Sequence, residues 1–294
     1  MKVLLYIFII LIIFIASVIL ESNREHKNFK LTTYKLTNDK IPDTFKNKRI
    51  IVFSDLHNTF YGNDNEVLYK KIKELKPDFI ILAGDMPVAN SKNSELNLKT
   101  ASFIAKLLDI SDVYYGVGNH EKRMIESEPL KADWEKYYNI ISSYKGKHKL
   151  YYMDNKKYSV TYGNRSINIY GLDIDLSYYQ RFANINLTEN EIVNMLGKTN
   201  PNEFNILIAH NPDYFTSYTK WGADLILSGH VHGGMVSLPF IGGVISPKPK
   251  LFPHFDYGEY NKDNSTMLLS NGLGSHSVKL RINNIPEIIV IEFD

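Results

Sequence analysis

Five short apolar runs in this chain are each followed directly by side chains of the kinds that bind metal ions. The runs occupy residues 49–54, 79–83, 113–117, 204–209 and 224–227. Each is a nearly continuous stretch of aliphatic and aromatic residues, which is typical of a strand buried on both faces of a sheet. Ligands of open α/β sheets bind beyond the carboxyl ends of the strands. The side chains that follow the five runs are therefore expected to meet at one place.

The candidate metal ligands follow these runs in five blocks. They are Asp55 with His57, Asp85, Asn119, His210, and His230 with His232. An isolated Asp-x-His pair arises easily by chance, and a lone Asp, Asn or His is more often a turn residue, a helix cap or a surface side chain. Chance does not explain why such residues recur at successive strand ends. The chain has no cysteine, so the ligand atoms would be nitrogen and oxygen, which suit Mn²⁺, iron or Zn²⁺.

Helical and strand patterns alternate through the rest of the chain. Apolar residues recur at helical spacing over 68–75, 101–108 and 134–141, and Thr188 with Glu191 forms a capping box before a further helix. More strands are predicted at 150–153, 158–162, 166–170, 267–270 and 287–293. A hairpin turn is predicted at Gly163 and Asn164. No repeat or Gly/Ser-rich linker divides residues 46–294, so the sequence predicts one α/β domain of mixed strands and helices.

Residues 3–20 form an apolar run without a charge, and a polar segment follows from Glu21 onward. As a helix the run spans about 27 Å, close to the roughly 30 Å of a membrane's hydrocarbon core. A cleaved signal peptide is the competing interpretation, but the run exceeds the usual apolar core of such a peptide and no clear cleavage site follows. We predict a transmembrane anchor at 1–20, a juxtamembrane entry segment at 21–45, extended where it leads into the main domain, and that domain at 46–294.

The side of the membrane on which the main domain lies stays open. Lys2 alone precedes the apolar run, whereas Arg24, Lys27 and Lys30 follow it. By the positive-inside rule this count places the domain in the cytoplasm. The free amino terminus adds a positive charge before the run, and the acidic residues after the run offset some of the basic ones, so the count does not decide the side.

The five blocks, in their order, resemble the calcineurin-like metallophosphoesterases. The matching motifs are Asp55-x-His57, Gly84-Asp85, Gly118-Asn119-His120-Glu121, His210 and Gly229-His230-x-His232. The resemblance covers residues 46–294 and implies a four-layer αββα sandwich, an α/β (α+β) fold in which helices flank two mixed sheets. It also implies two divalent metal ions at the strand ends.

The resemblance assigns roles to these residues by their position in the motifs. Asp55, His57 and His232 would hold one ion. Asn119, His210 and His230 would hold the other, and Asp85 would bridge the two. His120 would be a catalytic residue rather than a ligand, because in this family it stands beside the substrate and stabilises the phosphoryl oxygens or protonates the leaving group. Two divalent ions held by two carboxylates and a bridging hydroxide keep a net charge of about +1, which attracts a phosphate anion.

Finer features are similar to a membrane-associated bacterial branch of the family, often labelled by similarity to UDP-2,3-diacylglucosamine hydrolases. They are the segments at 209–213, 233–234, 238–243, 272–274 and 286–287. Relatives usually carry Gln after the two glycines, whereas this chain has Met235, which puts a polar contact there in doubt. This resemblance favours an extracytoplasmic domain on a single-pass cell-membrane anchor.

The function that the resemblance implies is hydrolysis of a phosphodiester or pyrophosphate bond by a metal-bridging hydroxide, on a lipid or envelope precursor. A broad nucleotide-type phosphodiesterase or monoesterase is the alternative enzyme, and a catalytically silent scaffold is the alternative outside enzymes. The complete ligand set argues against a scaffold. With 34 basic and 32 acidic residues the net charge is +2, so no nucleic-acid-binding surface is expected. The oligomeric state stays open.

Two segments close to the motifs have two interpretations each, and a third segment has one. Lys122 and Arg123 could clamp a second phosphate, although a solvated loop is the commoner explanation of such a pair. The apolar run 235–244 could line a lipid pocket or rest on the bilayer, but we favour a packed hairpin. Lys248 and Lys250 are predicted in a surface loop.

Overall fold

The computed structural model describes residues 2–180, 185–234, 236–238, 242–245, 254–275 and 280–294. At 236–238 and 242–245 it describes the backbone alone. The strands are β1 (Lys30–Leu36), β2 (Arg49–Phe53), β3 (Phe79–Leu82), β4 (Asp112–Gly116), β5 (Leu150–Met153), β6 (Lys156–Tyr162), β7 (Arg165–Leu172), β8 (Asn205–Ala209), β9 (Leu225–Ser228), β10 (Val236–Leu238), β11 (Gly242–Ile245), β12 (Gly258–Lys262), β13 (Ser265–Leu269) and β14 (Glu287–Phe293). The helices are α1 (Lys2–His26), α2 (Glu66–Leu75), α3 (Ser94–Leu107), α4 (Asn119–Glu126), α5 (Glu128–Ser142), α6 (Glu189–Leu196) and α7 (Phe215–Trp221).

In the described part of the chain, two six-stranded mixed sheets form the centre of the fold. The first has the order β1-β14-β2-β3-β4-β5, in which β2 to β5 are parallel and β14 runs antiparallel to β2. The second has the order β12-β13-β9-β8-β7-β6, in which the four central strands are parallel and both edge strands antiparallel. A separate hairpin pairs β10 with β11.

Side chains alternate between the two faces of each central strand, and both faces are buried. In β2, Ile51 and Phe53 pack among residues of α2 to α5, whereas Ile50 and Val52 pack against the second sheet. The outer face of the second sheet is covered by α6 and α7. The layers are helix, sheet, sheet and helix, which confirms the four-layer αββα sandwich.

The N-terminal region enters the domain along its edge. Helix α1 exposes its apolar side chains, has a mean hydropathy of 3.4 over its most apolar window and is long enough to cross a membrane, although a signal sequence has the same properties. The entry segment is extended, as predicted, and its β1 pairs in parallel with β14. This strand was not predicted, because four of its seven residues are Lys or Thr and its apolar residues do not alternate regularly with them.

Most predicted elements are confirmed to within a few residues, including the turn at Gly163 and the capping box. In that box Thr188 Oγ1 accepts the Glu191 N–H at 3.3 Å, and the Glu191 carboxylate accepts the Thr188 N–H at 2.7 Å. Helix α7 was not predicted, because its Phe, Thr, Tyr and Trp residues favour strands by intrinsic propensity. Burial of its aromatic face against the second sheet outweighs that preference.

Candidate metal centre

The carboxyl ends of strands from both sheets meet where the predicted ligands lie. Strands β2, β3 and β4 are parallel, and so are β8 and β9, so their ends share an edge of each sheet. The buried predicted residues are Asp55, His57, Asp85, Asn119, His120, His210 and His232, and His230 is half-buried. Seven of these eight form three overlapping groups in which the ligand atoms lie within 4.8 Å of one another. The eighth, Asn119, is next to His120 in the chain.

One group consists of Asp55, His57 and His232. The Nε2 atoms of the two histidines are 3.1 Å apart, and they lie 3.8 Å and 3.4 Å from Oδ1 of Asp55. His232 Nδ1 donates to the carbonyl of Gly274 at 3.1 Å, which leaves the lone pair on Nε2. Two ring nitrogens and one carboxylate oxygen therefore face a common point, a donor set that suits a divalent transition-metal ion.

A second group consists of Asp85, His210 and His230. His210 Nε2 lies 3.2 Å from Oδ2 of Asp85, and the rings of His210 and His230 are 5.3 Å apart. His210 Nδ1 donates to the carbonyl of Ala83 at 2.7 Å, so its Nε2 also carries the lone pair in the neutral ring. This arrangement offers a second place for a cation.

Asp85 borders both groups. Its Oδ2 is 3.2 Å from His210 Nε2 and 3.7 Å from His57 Nε2. On the other side, Oδ1 of Asp55 is 3.8 Å from His210 Nε2. The two groups are therefore contiguous, and one carboxylate reaches ligand atoms of each.

Asn119 shows most directly that a partner of positive charge would fit here. Its Oδ1 is buried and has no hydrogen-bond partner among the residues that the structure describes. A buried amide oxygen without a partner costs free energy unless another group satisfies it. The unpaired oxygen, the oriented imidazoles and the absence of sulfur from the set fit hard or borderline divalent ions.

His120 lies against both His57 and Asp85, with which it forms the third group. Its backbone N–H donates to Asp85 Oδ1 at 2.7 Å, and its ring is 4.7 Å from that of His57. Its Nδ1 accepts the backbone N–H of Ala89 at 2.8 Å. Since Nδ1 is an acceptor, the neutral ring carries its proton on Nε2, where it can be donated.

The backbone at the site adopts conformations that non-glycine residues rarely populate. The φ angles are 52° at Asp55, 43° at His57, 58° at Asp85, 76° at His230 and 54° at His232. Such left-handed residues cluster at functional sites, where the surrounding structure holds them. Gly84 has a φ of 90°, and a Cβ there would lie 2.7 Å from the Gly118 nitrogen and 2.8 Å from His210 Nδ1.

The buried carboxylates and imidazoles of the site determine one another's charge state, because they contact each other rather than solvent. Burial opposes ionisation of Asp55 and Asp85, yet neighbouring imidazoles hold the pKa of each carboxyl group below its usual range. Those of His232 and His210 act on Asp55, and those of His210 and His120 act on Asp85. Burial opposes protonation of His210, but the two carboxylates raise its pKa to about 10. The site thus stabilises positive charge between its carboxylates, and bound cations would supply that charge in place of protons.

Glu121 supports the site in a way that the sequence did not predict, although it stands in one of the motifs. Its buried carboxylate accepts the N–H groups of Asp85, Met86 and Gly118 at 2.8–3.0 Å and the hydroxyl of Tyr115 at 2.8 Å. Burial and the nearby Asp85 raise the pKa of Glu121 to about 7, while these four donors favour its ionised form. Glu121 therefore fixes the turn that carries Asp85.

A loop after β13 also supports the site. The N–H of Leu273 donates to the carbonyl of Ser54 at 3.0 Å, and that of Gly274 donates to the carbonyl of Asp55 at 2.6 Å. The Gly-Leu-Gly motif at 272–274 was visible in the sequence, but its contact with Asp55 was not, because the two segments are far apart in the chain.

The prediction of a loop at Lys122 and Arg123 is wrong, although Arg123 is exposed to solvent as expected. Both residues lie in α4, and the Lys122 ammonium is 2.9 Å from the Asp173 carboxylate and 3.3 Å from that of Glu126. These two carboxylates neutralise the Lys122 ammonium, because its side chain points from α4 towards Asp173 in the loop after β7. Met235, Lys248 and Lys250 lie outside the described residues; of the run 235–244, the described backbone forms the antiparallel hairpin β10–β11.

Comparison with known proteins gives a family and several distant relatives. Residues 48–234 match the calcineurin-like phosphoesterase family. The chain is 26% identical to the uncharacterized metallophosphoesterase YkuE of Bacillus subtilis, over 88% of this chain and 83% of that protein. It is 23% identical to the UDP-2,3-diacylglucosamine pyrophosphatase LpxG of Chlamydia muridarum, over 83% of this chain and 82% of that protein.

Among solved structures, the phosphopantetheinyl hydrolase PptH of Mycobacterium tuberculosis is similar with a TM-score of 0.43 and 12% identity, over 76% of this chain and 89% of that chain. That similarity is too low to bear on function. The family match covers well over half of the sequence and includes all five ligand blocks. The chain therefore belongs to the calcineurin-like phosphoesterases and is a metal-dependent phosphoester hydrolase.

Proposed function

We propose that this hydrolase is anchored in a membrane by α1 and cleaves a phosphodiester or pyrophosphate bond of a lipid-linked substrate at a centre for two divalent ions. The observation that carries the proposal is the position of Asp85 Oδ2, which reaches His210 Nε2 at 3.2 Å and His57 Nε2 at 3.7 Å. A carboxylate between two groups of nitrogen ligands is suited to bridge two cations.

The ligands would be those of the two groups, with Asp85 shared. Asp55, His57 and His232 would hold one ion; Asn119, His210 and His230 would hold the other. Manganese, iron and zinc all suit these atoms. Bound divalent ions supply Lewis-acid activation of a water molecule and of the phosphoryl group. His120 holds a proton on Nε2 beside both groups and donates it to the departing oxygen or to a phosphoryl oxygen.

Two observations support a lipid-linked substrate. Helix α1 exposes an apolar surface throughout its length up to residue 15, which a membrane would cover. The distant relative LpxG is named for a pyrophosphatase activity on a diacylated sugar nucleotide. The division of the chain into an anchor, an entry segment and a catalytic domain belongs to this proposal.

The centre is tested by activity and metal content together. Full-length protein in detergent micelles is assayed with Mn²⁺ and bis-p-nitrophenyl phosphate, and its bound metal is measured in the same sample. Asp85→Asn should lose both ions and the activity, because the shared ligand loses its charge. Asp39→Asn, at an exposed position on the entry segment, should keep both. Activity retained by Asp85→Asn would show that the assigned bridge is wrong.

The substrate class is tested on the wild-type protein with a panel of three substrates. A UDP-linked diacylglucosamine, a cyclic nucleotide and a phosphate monoester are compared by kcat/KM. The proposal expects the lipid-linked pyrophosphate to exceed the others by at least about tenfold, equivalent to about 1.4 kcal/mol of transition-state binding. Equal values for all three would instead indicate a broad-specificity enzyme.

A further inference from the structure

The last turn of α1 is buried against the domain, unlike the helix that precedes it. Ser22 is 4% exposed and Glu25 is 1% exposed, whereas Leu20, two residues before Ser22, is 70% exposed. A buried carboxylate is costly unless hydrogen bonds or an opposite charge satisfy it. The partners of this turn therefore indicate what its burial achieves.

Glu25 is connected to His232 through one residue. Its Oε2 accepts the backbone N–H of Asn284 at 3.0 Å. The side-chain amide of Asn284 donates to the carbonyl of His232 at 2.7 Å and to that of Gly234 at 2.6 Å. All three bonds are buried, so Asn284 connects the carboxylate of Glu25 to the backbone that carries His232.

A second route runs from the same turn through Arg281. Its backbone N–H donates to Ser22 Oγ at 3.1 Å. Its guanidinium, fully buried, donates to the carbonyls of Asn271, Gly272 and Gly274 at 2.5–3.0 Å. The carbonyl of Gly274 is also the acceptor for His232 Nδ1. Both the backbone and the ring of His232 are thus tied to the end of α1.

The two routes place opposite charges in one buried region. Burial lowers the pKa of Arg281, while the carboxylates of Asp55, Glu25 and Glu287 act in the opposite direction. Asp55 and Glu287 still balance the guanidinium if Glu25 loses its charge, so the contribution that Glu25 alone makes is its hydrogen bond to the Asn284 N–H.

We infer that Glu25 is a positioning residue of the metal centre: through Asn284 it fixes His232, so that the end of the membrane helix is a structural part of the site. The inference rests on the proposed role of His232 as a ligand. In left-handed conformation, with a φ of 54°, His232 depends on its surroundings to hold its ring towards Asp55.

The test measures Mn²⁺ binding to full-length protein in detergent micelles by the electron paramagnetic resonance of the free ion. In Glu25→Ala, one of the two dissociation constants should rise about tenfold, and the other should change less than about twofold, since outer partners of ligands act on the ligand that they hold. Glu25→Gln should stay within about twofold of wild type, because its amide oxygen can still accept the Asn284 N–H. Glu25→Asp, whose side chain is one methylene shorter, should repeat the alanine pattern and replaces that variant if it does not fold.

The matched control is Glu21→Ala, one turn earlier on the same helix, which removes an exposed pair with Arg24 and should leave both constants unchanged. Wild-type constants for Glu25→Ala, or an equal rise of both constants, would overturn the inference while leaving the two-metal centre intact. A wild-type protein that binds fewer than two Mn²⁺ ions would overturn the proposed function and this inference with it.

Discussion

Replacement of His120 by asparagine separates proton donation from metal binding. The Nδ1 atom of His120 accepts the Ala89 N–H at 2.8 Å, and the amide oxygen of asparagine can take over that bond. The backbone N–H that donates to Asp85 is also retained. His120→Asn should therefore keep both ions and the fold, but it removes the group that carries a proton on Nε2.

The size of the effect depends on the leaving group. A positioned general acid contributes about 10²–10⁴ in rate, equivalent to about 2.7–5.5 kcal/mol, when the departing oxygen needs a proton. An alkyl phosphodiester should lose activity by that factor in His120→Asn. A p-nitrophenyl ester, whose phenolate leaves without a proton, should lose about tenfold or less.

The assay compares kcat for the two esters, with metal content measured on the same preparation. His148→Asn is the control, because that histidine is 40% exposed and paired with Asp112 away from the site. His120→Ala should additionally lower the free energy of unfolding by about 1–3 kcal/mol, since the Ala89 N–H loses its acceptor. Equal losses on both esters would refute proton donation by His120 to the departing oxygen, and loss of metal from the asparagine variant would show that His120 also supports metal binding.

Three further predictions follow from contacts around the site. Glu121→Ala should lower the free energy of unfolding by about 3–5 kcal/mol in urea titrations, because four buried donors lose their acceptor. The control is Glu135→Ala, at an exposed position, which should change the free energy of unfolding by less than about 0.5 kcal/mol. Gly84→Ala should weaken Mn²⁺ binding and lower Tm, because the added Cβ would meet the Gly118 backbone and the His210 ring. Gly197 has a similar positive φ, but a Cβ there would have no neighbour within 4 Å. Gly197→Ala should therefore show the backbone strain alone, with unchanged Mn²⁺ affinity. Removal of metal by a chelator should lower the free energy of unfolding by about 2.7 kcal/mol for each ion that had been present at a hundredfold excess over its Kd. Readdition of Mn²⁺ should restore Tm. A Tm that the chelator does not change would show that no ion binds the folded protein.

The central strands and the meeting of the candidate ligands beyond their ends could be predicted from the sequence, because each candidate comes directly after an apolar strand in the chain. Strand β2 is apolar on both faces, and Asp55 and His57 come directly after it, so burial and position are visible together. The edge strand β1 and helix α7 could not be predicted, since partners distant in the chain decide their conformation. The same holds for Arg281 and Asn284, which no local pattern distinguishes from surface residues. The left-handed backbone of the candidate ligands also could not be predicted, because Asp and His populate this conformation more often than most residues but still only in a minority of cases.

The most direct test of the two-metal centre is the anomalous diffraction of Mn²⁺ in crystals grown with the ion. The account predicts two anomalous peaks per chain, roughly 3.5–4 Å apart, with the Asp85 carboxylate in contact with both. Asp55, His57 and His232 should surround one peak, and Asn119, His210 and His230 the other. A single peak, or peaks that these seven side chains do not contact, would contradict it.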